Sequence, residues 1–263
     1  MRWLAVFAVA AVGVALGAAG LFLLRDDGPS ELLPDLDQAP PSKLEIVEEG
    51  DTYRLVFASA VDNVGAGPLL IEGERETRRT PAMTVRQLVR RSDGSTRVRT
   101  VPGEIRYVES ETHEHWHLLG FETYELRRAA DGTLVQPDAK TGFCLGDRYE
   151  TPGRNDLSGK PDRPVWTEEC GLAEPGLLEV REGISPGYGD DYDPAREGQF
   201  LNVTNVPAGR YLLVHRANPE RTLEEGDYSN NAASVLIQLR RAGAIPSVRV
   251  LAHCPNAPTC SRD

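Results

Sequence analysis

Thr112-His113-Glu114-His115-Trp116-His117-Leu118-Leu119-Gly120-Phe121-Glu122-Thr123-Tyr124-Glu125-Leu126 is the stretch from which the fold class is read. His113, His115 and His117 occupy alternate positions, and a period of two is the period of an extended strand. On such a strand the three imidazoles project from one face. The chain has five histidines, so most of a scarce residue is gathered here. Neutral imidazole suits Cu, Zn, Ni or Fe, which makes the triplet a candidate metal site. In a straight strand the outer two Cα atoms stand about 13 Å apart, so the outer rings must lean inward to share one ion. Trp116, Phe121 and Tyr124 read as core.

Outward from this stretch the same style of patterning recurs. Leu55–Ala58, Leu69–Ile71, Met83–Val89, Thr96–Val101, Leu178–Val180, Phe200–Val203, Tyr211–His215 and Ser234–Leu239 are short apolar or alternating runs. Gly, Pro, Asn and Asp clusters separate most of them. Many short strands with turn signals between them predict an all-β fold, a β-sandwich core with long loop-rich excursions. No segment after residue 43 carries a long stripe of helical period. Leu145 to Tyr192 is rich in Gly, Pro and Asp and reads as one such excursion, of a length that is functional or stapled.

The N-terminus decides the expected compartment. Trp3 to Leu24 is an unbroken apolar run, long enough as a helix to cross about 30 Å of hydrocarbon. Residues 1–25 are therefore expected to be a signal anchor or a cleaved signal peptide, with the remainder secreted or tethered by that segment. Residues 26–42, rich in Pro and acid, read as a linker, and 43–263 as one domain. Export makes the cysteines legible as disulfides. Cys254 and Cys260 close a short local loop, and Cys144 with Cys170 closes a longer one, worth about 3 kcal/mol in the chain-entropy view. Neither pair has the spacing of a zinc site.

The formal net charge is −11, from 29 basic and 40 acidic residues. Such a surface repels phosphate backbones and excludes nucleic acid as a partner, while cationic partners are tolerated. Only Lys43, Lys140 and Lys160 are lysines. Lone His215 and His253 read as structural.

Four blocks then coincide. His113-Glu-His-Trp-His117 is followed by Leu118-Leu-Gly-Phe-Glu-Thr-Tyr-Glu-Leu126. Lys140-Thr-Gly-Phe-Cys-Leu-Gly-Asp147 comes next, then Gly183-Ile-Ser-Pro-Gly-Tyr-Gly-Asp-Asp-Tyr192, then Asn218-Pro219 through Asp227-Tyr-Ser-Asn-Asn231. In order and spacing this set resembles the lysyl oxidase family of copper amine oxidases, over about residues 52 to 240.

The resemblance implies copper(II) on His113, His115 and His117, and a lysine tyrosylquinone built from Lys140 and Tyr192. Tyr188 is the rival tyrosine; Tyr192 holds the second tyrosine position of the family's Gly-x-Tyr-x-x-Tyr pattern. Asp190 and Asp191 become candidates for the proton-abstracting base. The implied reaction converts a primary amine, peptidyl lysine above all, to an aldehyde with dioxygen, releasing hydrogen peroxide and ammonia. The chain departs from the family where Tyr188-Gly189 replaces Cys-Tyr of animal members, and in lacking the cysteine beside the histidine strand. Two alternatives compete: a non-catalytic copper-binding β module, and a cupin-type metal oxygenase, which requires His215 beside the triplet.

Overall fold

The computed structural model of the protein describes residues 28–109, 114–137, 142–194, 196 and 198–260. Among them every helix-or-strand element is a β-strand, in keeping with the all-β expectation. The N-terminal apolar segment expected to be helical lies outside the described residues. Among the described residues no helix is long and apolar enough to cross a membrane.

The strands form three antiparallel sheets. One runs in the order Glu179–Ile184, Leu69–Glu74, Ala82–Arg91, Thr96–Glu109, Glu114–Leu118, so the histidine strand lies at the end of that order. A second runs Leu134–Pro137, Glu122–Arg128, Gly209–Ala217, Ala232–Ala242, Ile245–Cys254. The third is organised by the long strand Thr52–Asn63, which pairs with Leu36–Gln38, Ser42–Glu49, Tyr188–Tyr192 and Phe200–Asn202. Leu118 ends the histidine strand, and Gly120 takes a left-handed φ of 72° before the chain enters the second sheet at Glu122. The quoted stretch therefore links two sheets.

The alternation that predicts the strands is what fills the interior. Met83, Val85, Gln87 and Val89 are buried along one strand, while Thr84 between them and Arg90 just after them are exposed. Leu55, Phe57, Leu69, Ile71, Ile105, Leu126, Leu213, Val235 and Ile237 meet them in one contiguous core. Each such side chain contributes roughly 1.5–3 kcal/mol by leaving water.

Two regions differ from the sequence reading. Part of the Pro- and acid-rich stretch that reads as a linker is built into the fold: Leu36–Gln38 pairs with Val61–Asn63, and Leu36 is fully buried. Tyr188–Tyr192 lies within the stretch that reads as loop, yet it pairs in register with Ser59–Asp62. Its inward positions carry Tyr188 and Asp190 rather than aliphatic residues, so burial there leaves no apolar signature. The disulfides are Cys144–Cys170 and Cys254–Cys260, and no described cysteine is free.

Candidate active site

His115 and His117 point the same way from the strand Glu114–Leu118, and their Nε2 atoms stand 2.7 Å apart. Two donors bound to one ion at about 2.0–2.1 Å would stand about 3 Å apart, so the pair is close to a ligating geometry. His113 lies outside the described residues. Among the described residues no group of three His, Cys, Asp or Glu side chains is arranged for a metal. Trp116 faces away from the imidazoles and anchors the strand. Its ring meets Tyr107 edge-on at 5.5 Å, lies under the Arg75 guanidinium at 4.5 Å, and its Nε1–H donates to Glu174 O at 3.1 Å. Arg75 is fixed in turn by donating to the carbonyls of Leu177 and Thr80 at 2.7 and 2.8 Å.

The segment Gly142–Phe143–Cys144 runs against the end of this strand. Phe143 and Leu118 exchange backbone hydrogen bonds of 2.8 and 3.0 Å. Gly142 has φ 153°, and a Cβ there would stand 2.8 Å from His117 Cβ and 2.9 Å from Leu118 O. Only glycine allows so close an approach. Lys140, two residues upstream, lies outside the described residues.

Tyr192 turns its hydroxyl into this junction. The hydroxyl accepts from Cys144 N–H at 3.1 Å, donates to Cys144 O at 2.9 Å, and stands 3.2 Å from Asp190 Oδ2. Its ring packs edge-on against Phe143 at 5.2 Å. Burial, and then the nearby charges of Asp190, Glu122 and Glu182, push the phenol well above its ordinary value. Asp190 is buried and has Arg148 Nε at 3.6 Å. Asp191 is exposed on the opposite side of the strand. The two sequence candidates for the base are thus separated: Asp190 touches the tyrosine oxygen and Asp191 faces solvent.

Tyr188, the rival tyrosine, is buried beneath Lys160, whose Nζ lies 5.3 Å from the ring centroid, and its hydroxyl donates to Pro161 O at 3.3 Å. A Cβ on Gly189 would collide with Tyr149 and Asp62, so this position requires glycine. Lys160 pairs with Glu150 at 2.8 Å, and that hydrogen bond raises the ammonium pKa and keeps it protonated.

A second buried polar group adjoins the site across Phe143, whose ring lies 6.2 Å from that of Tyr124. Gln38 Nε2 donates to Ala60 O at 2.6 Å and to His215 Nδ1 at 2.7 Å. His215 must then carry its proton on Nε2, which donates to Glu122 Oε2 at 2.9 Å. Tyr124 donates to the same oxygen at 3.0 Å. Both His215 nitrogens are occupied, so it is no metal ligand here, and the cupin-type reading loses its fourth ligand. Gln38 was not singled out in the sequence, and Glu122 stood out only through the cupin-like spacing His115-x-His117-x4-Glu122. The available signal was an acid at an inward position of an alternating strand, Glu122-x-Tyr124-x-Leu126. Glu182 is a further buried acid: it accepts from Leu145 N–H at 2.8 Å, and burial pushes its carboxyl up to about 8.

These elements define an all-β protein whose histidine strand is joined, through a Gly-Phe-Cys segment, to a tyrosine oxygen and a buried carboxylate. Residues 74–247 match the lysyl oxidase family, more than half of the chain, and the chain belongs to that family. Lysyl oxidase homolog 1 of Homo sapiens is 29% identical over 120 residues, covering 45% of this chain and 18% of the relative. Protein-lysine 6-oxidase of Sus scrofa is 30% identical over 132 residues, covering 50% and 45%. Lysyl oxidase homolog 2 of Mus musculus is 30% identical over 140 residues, covering 53% and 16%. The chain spans less than half the length of each of these relatives.

Proposed function

We propose that the protein is an exported copper-dependent oxidase of primary amines, with peptidyl lysine as the preferred class of substrate. The observation that carries the reading is the placement of the Tyr192 hydroxyl on Cys144, next to the residue whose backbone is bonded to the end of the histidine strand. His115 and His117, with His113 one position beyond the strand, would hold copper(II) through neutral imidazole nitrogens. Lys140, two residues ahead of Gly142 in the sequence, and Tyr192 would form the lysine tyrosylquinone. Copper and the quinone together would supply the two-electron oxidation that turns an amine into an aldehyde, with dioxygen leaving as hydrogen peroxide and nitrogen as ammonia.

The chain's own residues supply placement and proton handling. Cys144 N–H and Asp190 orient the Tyr192 oxygen, and Phe143 closes one side of the ring to water. Asp190, buried and 3.2 Å from that oxygen, would take the proton from the carbon bearing the amine. The two disulfides and the N-terminal apolar run support export. The formal net charge of −11 suits a cationic substrate.

Aerobic copper loading followed by peptide mass mapping tests the proposal. A cross-linked Lys140–Tyr192 peptide, labelling by a quinone-reactive hydrazine, and peroxide release with lysyl peptides are expected. Copper bound with none of these would identify a non-catalytic copper module instead.

A further inference from the structure

The tyrosine strand Tyr188–Tyr192 and the histidine strand Glu114–Leu118 belong to different sheets, so no strand pairing sets their separation. Two links among the described residues bring them together: the Phe143–Leu118 backbone pairing and the Cys144–Cys170 disulfide. Cys170 O accepts from Trp116 N–H at 3.0 Å, between His115 and His117. Ala173 N–H, three residues on, donates to Glu114 O at 2.8 Å, so this side of the bridge lies along the histidine strand. Cys144 holds the Tyr192 hydroxyl from both directions, N–H donating and C=O accepting. Leu145 N–H is pinned to Glu182 Oε2 at 2.8 Å, which lies 3.6 Å from Cys170 Sγ.

We propose that Cys144 is a positioning residue for Tyr192, and that the Cys144–Cys170 bridge fixes where the tyrosine oxygen stands relative to the histidine strand. The functional consequence, a site that can mature only in the oxidised chain, rests on the oxidase reading; the positioning itself does not. Two hydrogen bonds from one residue's amide and carbonyl leave a hydroxyl little freedom, provided that residue is itself held. Cys144 lies outside the regular strands; its neighbours Phe143 and Leu145 are hydrogen-bonded to Leu118 and Glu182, and the bond to Cys170 ties Cys144 itself to the chain that runs along the histidine strand. Held there, the phenol is buried beside Asp190, Glu122 and Glu182, and burial first and those charges second favour its neutral form before any oxidation.

The test uses full-length copper-free protein carrying ring-labelled tyrosine, with the Tyr192 resonance assigned by Tyr192→Phe. Its ionisation is followed by NMR in wild type, in Cys144→Ala/Cys170→Ala, and in Cys254→Ala/Cys260→Ala as a remote bridge control. Wild type and the remote variant are expected to keep Tyr192 neutral well past the ordinary tyrosine midpoint of about 10. Loss of the 144–170 bond is expected to lower the midpoint by at least about one pH unit, a tenfold change. If the double variant does not fold, the native protein is reduced in the cold, alkylated, and read in the same way. An unmoved Tyr192, an equal shift in the remote variant, or global unfolding of the reduced protein would each overturn the proposal and leave the bridge a general staple. Cross-link yield after copper loading is measured in parallel. A shifted Tyr192 with no cross-link in wild type would spare the positioning and sink the oxidase.

Discussion

His215 Nε2 lies 2.9 Å from Glu122 Oε2 with both side chains out of contact with solvent. The direction of the hydrogen bond follows from Gln38, whose amide must donate to Ala60 O and therefore also donates to Nδ1. A carboxylate inside a β core is costly unless donors surround it, and here His215 and Tyr124 supply them. His215→Ala should therefore cost about 3 kcal/mol in denaturant unfolding, the range for breaking a buried hydrogen bond to a charge together with a lost ring. Copper affinity should change less than about twofold, because the site of damage is separate from the histidine strand. A large loss of metal binding would return His215 to the ligand set and revive the cupin-type reading.

Stability should fall as pH rises from mildly acidic to mildly alkaline. Burial raises Glu182 to about 8 and Glu225 to about 7, from an ordinary 4.5. An acid whose folded value is raised binds more protons folded than unfolded in that window. Its contribution is full below about 4.5 and is lost as pH climbs toward the folded values. The slope is at most about 1.4 kcal/mol per pH unit for each group. Denaturant midpoints between pH 5 and pH 8, taken with Glu182→Gln, check this: the variant should flatten the decline and be the more stable protein at the alkaline end. A wild-type curve that rises across the window would contradict the burial assignment.

Gly142→Ala should disturb the histidine strand without touching an imidazole. The new Cβ meets His117 Cβ and the Leu118 carbonyl, and the residue must keep a φ of 153°. Backbone and neighbour cannot both stay, so a destabilisation of about 2–3 kcal/mol is expected. Copper affinity, read by competition with a chelator, should fall at least about tenfold, or roughly 1.4 kcal/mol. Unchanged affinity would mean that His117 does not set the metal geometry.

Lys160→Arg should leave any lysine–tyrosine cross-link intact. Lys160 sits over Tyr188, the rival tyrosine, but its ammonium is held by Glu150 and kept charged. A protonated amine has no lone pair with which to attack a ring. Peptide mapping should find the modified tyrosine at Tyr192 in both proteins. A cross-link between Lys160 and Tyr188 would reverse the assignment.

The all-β class was legible because the patterning is dense: Met83–Val89 and Trp116–Leu126 alternate visibly, and inward positions are mostly apolar. The same rule hid Tyr188–Tyr192, where Asp190 takes an inward position against the Tyr192 hydroxyl, with Arg148 at 3.6 Å, in place of an apolar side chain. It hid Leu36–Gln38 because three residues are too few to show a period. The convergence of His115 with His117 followed from spacing alone. The attachment of Tyr192 to Cys144 did not, since it joins residues 48 apart through a side chain and a peptide group. Glu122 and His215 are 93 apart, and only the folded sheet pairs them.

Asp190→Asn and Asp191→Asn should behave differently although the residues are adjacent. Asp190 is buried against the Tyr192 oxygen, and Asp191 points to solvent from the other side of the strand. If Asp190 removes the substrate proton, its amide should lower kcat/KM for a primary amine by about 10²–10⁴-fold. Asp191→Asn removes one exposed charge and should shift KM for a cationic amine by about twofold or less, more at low ionic strength than at high. Deuterium on the carbon beside the amine sharpens the distinction: slowed proton abstraction in Asp190→Asn should bring out the full isotope effect, while Asp191→Asn should keep the wild-type value. Equal losses in both variants would remove Asp190 from the proton-transfer role and point to general electrostatics of the acidic strand.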